Sequence, residues 1–333
     1  MSALPAPQLY GKYGDPFRLV EFRLFSFNEC GGGCAHCYYR KTDNRVERYD
    51  DVLALATDLR ANGFQLETCY LLPTDVFEND FNYDIFRDEK LRESLRSFRY
   101  VGLASTLREG YDARFLDSFF ADFPGQGIEL HVNLIEARLE DPAYESFLLA
   151  QLRELRTRYA GRIQINLALN TGAKHSEREL GTLAGFAERG SDDRILELNF
   201  TYLFNAKLPK ATRRDLLRGS FPLVRFLRAE MSRREPALTE RTLLRKPSFV
   251  FKDGRIFLTP ILPFDEYLFV DDPAFTLSAP SFDAYLSTYA RLQAENLPVD
   301  DDCENCPELR HCQGKGYFMA AHHYGLGCHH KES

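Results

Sequence analysis

Eight cysteines stand at positions 30, 34, 37, 69, 303, 306, 312 and 328 of this 333-residue chain, and seven of them fall in two groups at opposite ends. The first group reads Asn28-Glu-Cys30-Gly-Gly-Gly-Cys34-Ala-His36-Cys37-Tyr-Tyr. Three thiolates within eight residues must fold round one small object, and Gly31, Gly32 and Gly33 remove the side chains that would block the wrap. Their amides can also point at cluster sulfurs and tune the potential. A cubane has four irons, so three cysteines leave one iron for a ligand from outside the protein. Zinc is the alternative on these residues, with His36 as a fourth ligand, although zinc sites favour paired knuckles over this spacing.

The second group is Cys303-Glu-Asn-Cys306-Pro-Glu-Leu-Arg-His-Cys312-Gln-Gly314-Lys-Gly316, with Cys328 a short helical stretch further on. Four cysteines can fill every position of a metal site and close it. On spacing alone, zinc and an iron-sulfur cluster are not separated here. If one thiolate is missing from the set, Cys328 is the one most distant in sequence, and the pairs His322-His323 and His329-His330 lie beside it. Cys69 is left over inside an apolar run, where a free cysteine reads as a small core hydrophobe.

The elements that must position these groups are legible as six short apolar runs: Arg18 to Phe27, Leu66 to Leu72, Arg99 to Thr106, Ile128 to Ile135, Arg162 to Leu169 and Ile195 to Leu203. Helical patterns lie between them. Asp50 and Asp51 are expected to cap a helix that Gly63 ends, and Ser176 with Glu179 forms a capping box before another. Near-continuous strands alternating with helices predict parallel βαβ units. Six repeats predict an α/β fold built as a partial (βα)6 TIM-like barrel. The first cysteine loop would then leave the C-terminal end of the first strand, where such folds place their chemistry. Beyond Asn205 the chain turns basic and helical, broken by Pro209, Pro222 and Pro236. Two apolar runs round Asp253-Gly254, from Pro247 to Thr259, predict a hairpin. A helix from about Ser281 to Asn296 follows, then the acidic run Asp300 to Asp302 before the second cysteine group.

Charge and composition exclude some functions. No stretch approaches the roughly 18 apolar residues of a membrane span, and no basic-then-apolar signal segment opens the chain, so a cytoplasmic protein is expected. In a reducing compartment, clustered cysteines bind metal or do chemistry more often than they form disulfides. A net charge of -7 argues against nucleic acid as a partner. It hides twelve Lys and Arg against four Asp and Glu between Lys207 and Lys246, which is either a solvated helical face or a docking face for an acidic partner.

A Cys-x3-Cys-x2-Cys loop after the first strand of a six-fold α/β unit resembles the radical S-adenosylmethionine (SAM) superfamily. The resemblance implies that Cys30, Cys34 and Cys37 hold a [4Fe-4S] cluster whose open iron chelates SAM. Reductive cleavage of SAM then gives a 5′-deoxyadenosyl radical. His36 occupies the family's aromatic position, near the adenine. Where the family usually carries Gly-Gly-Glu after its second strand, to receive SAM's amino group, this chain reads Leu72-Pro73-Thr74-Asp75. That contact is made mainly by backbone carbonyls, and Asp75 stands where the carboxylate would be. Asn133, Glu136 and Asn170, at strand ends, are candidates by position for the ribose and carboxylate.

The hairpin, helix and Cys-x2-Cys-x5-Cys tail resemble the SPASM and twitch extensions of the same superfamily. They imply one auxiliary [4Fe-4S] cluster on Cys303, Cys306, Cys312 and Cys328. The implied organisation is a tail (1–16), a radical SAM partial barrel (17–205), a basic helical linker (206–246) and a small hairpin-plus-helix cluster-binding domain (247–333). The implied activity is hydrogen abstraction and oxidative modification of a substrate. A peptide or protein is the first expectation, and a small molecule such as a sugar, nucleotide or natural-product precursor the second. A non-enzymatic zinc or iron-sulfur protein is the reading from another class. Reductant would come from flavodoxin or ferredoxin. With only 29 residues before Cys30, a leader peptide would need a separate binding protein or another surface.

Overall fold

The structure is a computed structural model that describes residues 19–25, 48–75, 77, 83–107, 114–134, 141–170, 195–199, 209–219, 248–252, 254–259 and 276–294. In chain order it comprises β1 (Leu19–Phe25), α1 (Tyr49–Ala61), β2 (Gln65–Asp75), a 3₁₀ turn (Tyr83–Arg87), α2 (Glu89–Arg96) and β3 (Tyr100–Ser105). Next come α3 (Arg114–Asp122), β4 (Gly127–Asn133), α4 (Pro142–Arg158), β5 (Ile163–Asn170) and β6 (Ile195–Asn199). The last are α5 (Lys210–Gly219), the hairpin strands β7 (Ser248–Lys252) and β8 (Arg255–Thr259), and α6 (Phe282–Ala294). The Ser176–Glu179 capping box lies outside the described residues.

All eight strands form one sheet in the order β6-β5-β4-β3-β2-β1-β7-β8. From β1 to β6 each strand pairs in parallel with its neighbour in sequence, the arrangement of a (βα)-barrel left open at β6. The fold is α/β, a partial TIM-like barrel. The hairpin is antiparallel as its sequence predicts, and Gly254 sits at φ 67, where a side chain would be strained. Its first strand also adds to the open edge of β1 in parallel, so hairpin and barrel share one sheet.

Local signals explain most element ends. Asp88 and Asp141 accept hydrogen bonds from the amides of Leu91 and Ala143, each 2.9 Å, and so cap α2 and α4. The expectation for α1 needs correction: Arg48 is its N-cap residue, with no side-chain cap bond, and Asp50 and Asp51 lie in the first turn. There their charges oppose the positive end of the helix dipole. Gly63 ends α1 as expected, at φ 83, with Phe64 N–H to Leu59 C=O and Gly63 N–H to Arg60 C=O, both 3.0 Å, forming a Schellman motif.

Side chains alternate between the two faces of the sheet. Val20, Phe22, Leu24, Cys69, Leu71, Val101, Leu103, Ile128, Leu130 and Val132 are all buried in one core with α1, α2, α3 and α4. Phe22 packs against Phe98, Phe249 and Phe251, and Tyr285 of α6 meets Phe64 and Phe249. The hairpin and its helix are thereby held to the barrel. Among the described residues, no helix is long and apolar enough to cross a membrane.

Candidate active site

The opposite face of the strands, the barrel interior, is polar. Glu129 on β4 is buried, and its carboxylate accepts from Thr68 Oγ1 at 2.7 Å, Tyr70 OH at 3.0 Å and Asn166 Nδ2 at 2.8 Å. His131 Nε2 lies 3.3 Å from the same Oε1, two residues nearer the C-terminal end of β4. The cluster thus ties β2, β4 and β5 together across β3. It fits because β3 contributes Gly102 there: a Cβ at that position would stand 2.1 Å from the Tyr70 ring. The Arg23 guanidinium from β1 lies 4.9 Å from the centroid of Tyr70 and donates through Nε to Ser248 Oγ at 3.1 Å. Asn166 is fully buried and its Oδ1 has no hydrogen-bond partner among the described residues.

The side chain of Glu129 is 11% exposed and that of His131 20%. Ala104 and Asn133, nearer the C-terminal edge, are half-buried too. The hydrogen-bonded cluster forms a polar layer across β2, β4 and β5 inside the barrel.

At that edge β2 and β3 are stitched together irregularly. Tyr70 pairs with Gly102, but the next pair is Asp75 with Ala104, so Leu71–Thr74 of β2 stand against Leu103 alone. On the other side Leu71 and Leu72 stay in register with Leu24 and Phe25 of β1. Asp75 bridges the gap. Its Oδ2 accepts from Thr106 N–H at 2.8 Å and Thr106 Oγ1 at 2.9 Å, and its Oδ1 from Phe77 N–H at 3.2 Å. Leu107 follows at φ 44, the one non-glycine residue with positive φ among those described, with its amide donating to Ser105 Oγ at 2.9 Å.

Of the residues singled out by sequence, Pro73, Thr74 and Asp75 end β2, Asn133 ends β4, and Asn170, paired with Asn199, ends β5. Cys30, Cys34, His36, Cys37, Glu136, Cys303, Cys306, Cys312 and Cys328 lie outside the described residues. Cys69 is free, fully buried and in the helix-side core, where burial pushes its thiol well above the ordinary value. The sequence reading missed Thr68, Tyr70, Glu129, His131 and Asn166. Their signal was present in Ile128-Glu-Leu-His-Val-Asn133, a strict alternation that marks a strand with one polar face.

No model of a known protein family matches the chain, and no curated protein does. Among solved structures it is similar to native anSMEcpe with bound AdoMet and Cp18Cys peptide, with a TM-score of 0.53 at 14% identity over 92% of this chain and 95% of that one. It also matches coproporphyrinogen III oxidase (HemN) from Escherichia coli, a radical SAM enzyme, with a TM-score of 0.41 at 15% identity, covering 82% and 74% of the two chains. The chain shares the fold of anSMEcpe. At this identity the likeness is one of fold. Within that fold, the irregular end of β2 is where sequence reading placed the receiver of SAM's amino group.

Proposed function

We propose that this protein is a radical SAM enzyme in which Cys30, Cys34 and Cys37 hold a [4Fe-4S] cluster and the end of β2 receives the methionine moiety of SAM. The observation that carries the reading is a Cys-x3-Cys-x2-Cys sequence starting five residues beyond β1 in a chain that shares the fold of the AdoMet-bound anSMEcpe. The neighbouring residues suit the ligand. Phe25, the last residue of β1, pairs with Leu72, the residue before Pro73. Residues bulged out of a ladder keep carbonyls without strand partners, and Pro73 contributes no N–H, so this segment favours a cation over an anion. When bound, the cluster and SAM together supply a radical able to remove hydrogen from an unactivated carbon.

The protein's own part is to bind, orient and exclude water. The hydrogen-bonded layer of Glu129, Thr68, Tyr70 and Asn166 fills the interior on the N-terminal side of His131, so the ligand is assigned to the C-terminal side. Asn133, Glu136 and Asn170 are assigned to the ribose and carboxylate of SAM, and His36 to the adenine. Cys303, Cys306, Cys312 and Cys328 are assigned to an auxiliary [4Fe-4S] cluster that takes an electron from the substrate radical. We assign a peptide as substrate, supported by the peptide bound in the structural relative. Flavodoxin or ferredoxin is the assigned reductant, docking on the basic segment that includes α5.

Anaerobic purification with iron, sulfide and zinc analysis tests the assignment. About eight irons per chain are expected for two cubanes; stoichiometric zinc with little iron would remove it. Cys30→Ala, Cys34→Ala and Cys37→Ala should each abolish dithionite-driven 5′-deoxyadenosine formation. The combined replacement of Cys303, Cys306 and Cys312 by Ala should spare SAM cleavage and lose product. Turnover of sugars or nucleotides, with none of peptides, would replace the peptide assignment.

A further inference from the structure

We infer that Asp75 is a positioning residue, a clasp that holds the bulged end of β2 open by gripping the end of β3, and that SAM affinity depends on this grip. The inference rests on the radical SAM reading and adds a role to it. Asp75 is 8% exposed and both its carboxylate oxygens are engaged inside the protein. The contacts replace a ladder. Regular pairing stops at Tyr70–Gly102, and the Asp75–Ala104 pair is the next point of attachment. Leu71 and Leu72 are held by β1, whereas Pro73 and Thr74 have no pair in either register, and Asp75 is their point of attachment to β3.

The far side of the clasp is under strain. A buried leucine at φ 44 adopts a backbone region unfavourable for a non-glycine residue, which persists only where its surroundings over-determine it. Here Thr106 is fixed through both its amide and its hydroxyl, and the Leu107 amide is fixed by Ser105 Oγ. Asp75 is the residue through which that strained corner and the acceptor-rich bulge are held to each other. The ligand class that suits the bulge is the ammonium group of an α-amino acid, the end of SAM that needs carbonyl acceptors.

The test uses full-length protein with its clusters reconstituted, and follows the change in the electron paramagnetic resonance signal of the reduced cluster as SAM is added. Asp75→Asn and Thr106→Val should each raise the Kd for SAM about tenfold, or about 1.4 kcal/mol, with iron content unchanged. Thr106→Ser, which keeps the hydroxyl, should restore it. In the cluster-free chain, hydrogen exchange at the amides of Thr106 and Leu107 should quicken in Asp75→Asn. Lower thermal stability with an unchanged Kd would reduce Asp75 to a structural residue and overturn the inference. A weakened Kd in Asp75→Asn but not Thr106→Val would assign the effect to charge and overturn it too. Failure of the wild-type protein to bind SAM would remove the enzymatic reading and this inference together, whereas loss of the inference alone leaves wild-type binding intact.

Discussion

The two faces of the barrel sheet are built on opposite terms. The helix side is a continuous apolar core from Val20 to Tyr285, where burial itself stabilises and one hydrophobe can stand for another of similar size. The interior side buries a carboxylate, an amide and two hydroxyls, groups whose desolvation is offset by the hydrogen bonds they make to one another. One face tolerates approximate packing and the other does not. The polar face also carries His131 and Asn133 toward the C-terminal end of β4, so specificity of geometry is concentrated on the side to which the proposed ligand is assigned.

That contrast can be broken most severely at Gly102. Adding one methyl by Gly102→Ala drives a Cβ into the Tyr70 ring, and expelling Tyr70 removes a donor from Glu129, so we expect a loss of about 3 kcal/mol in chemical denaturation. A comparable methyl change on the helix side, Val101→Ile, should cost less than half as much. Next is Glu129→Gln, which keeps shape but must turn its -NH2 either toward Thr68 or toward Tyr70 and Asn166. It should cost about 2 kcal/mol.

Cys69 sharpens the comparison from the apolar side. Cys69→Ala should cost about 1 kcal/mol, and the folded thiol should resist alkylation. Its pH dependence has a definite sign. In the unfolded chain the thiol ionises above its ordinary value of 9.0, while in the fold burial keeps it protonated. Unfolding then releases a proton, and stability falls as pH rises past about 9, by up to about 1.4 kcal/mol per unit relative to Cys69→Ala. Equal slopes for the two proteins would show that the thiol is not sheltered.

The smallest effect on stability is expected outside both faces, on α5, where Arg214 and Arg218 are exposed. Reversing the charges of Arg213, Arg214 and Arg218 should change stability by less than about 0.5 kcal/mol. Flavodoxin-driven turnover at low salt should slow while dithionite-driven turnover holds. An equal loss with both reductants would point instead to a peptide docking there.

Much of this contrast could be read in the sequence, and the exceptions have physical causes. All six barrel strands appear where apolar runs predicted them, because a strand covered by helices needs unbroken hydrophobicity on at least one face. β2 runs on to Asp75, past Pro73, because a bulge accommodates a residue that cannot donate to a ladder. Asp75 could be flagged by position, but its partner Thr106 lies 31 residues away and no local pattern links them. The polar floor is written in the alternation of β4, yet its meaning depends on Gly102 and Tyr70 arriving opposite, which only the register decides.

The pairing of β7 with β1 has a consequence for how the molecule is made. The hydrogen bond from Arg23 to Ser248 joins residues 225 positions apart, and Phe282 N–H to Asp58 Oδ2 joins residues 224 apart. At typical synthesis rates of about 5–20 residues per second, a nascent chain holds an unpaired β1 edge for on the order of ten seconds or more before its partner strand leaves the ribosome. Such an edge is a template for pairing with another chain. Translation stalled before the hairpin should therefore yield aggregates rather than a soluble barrel, and supplying the hairpin in trans should suppress them.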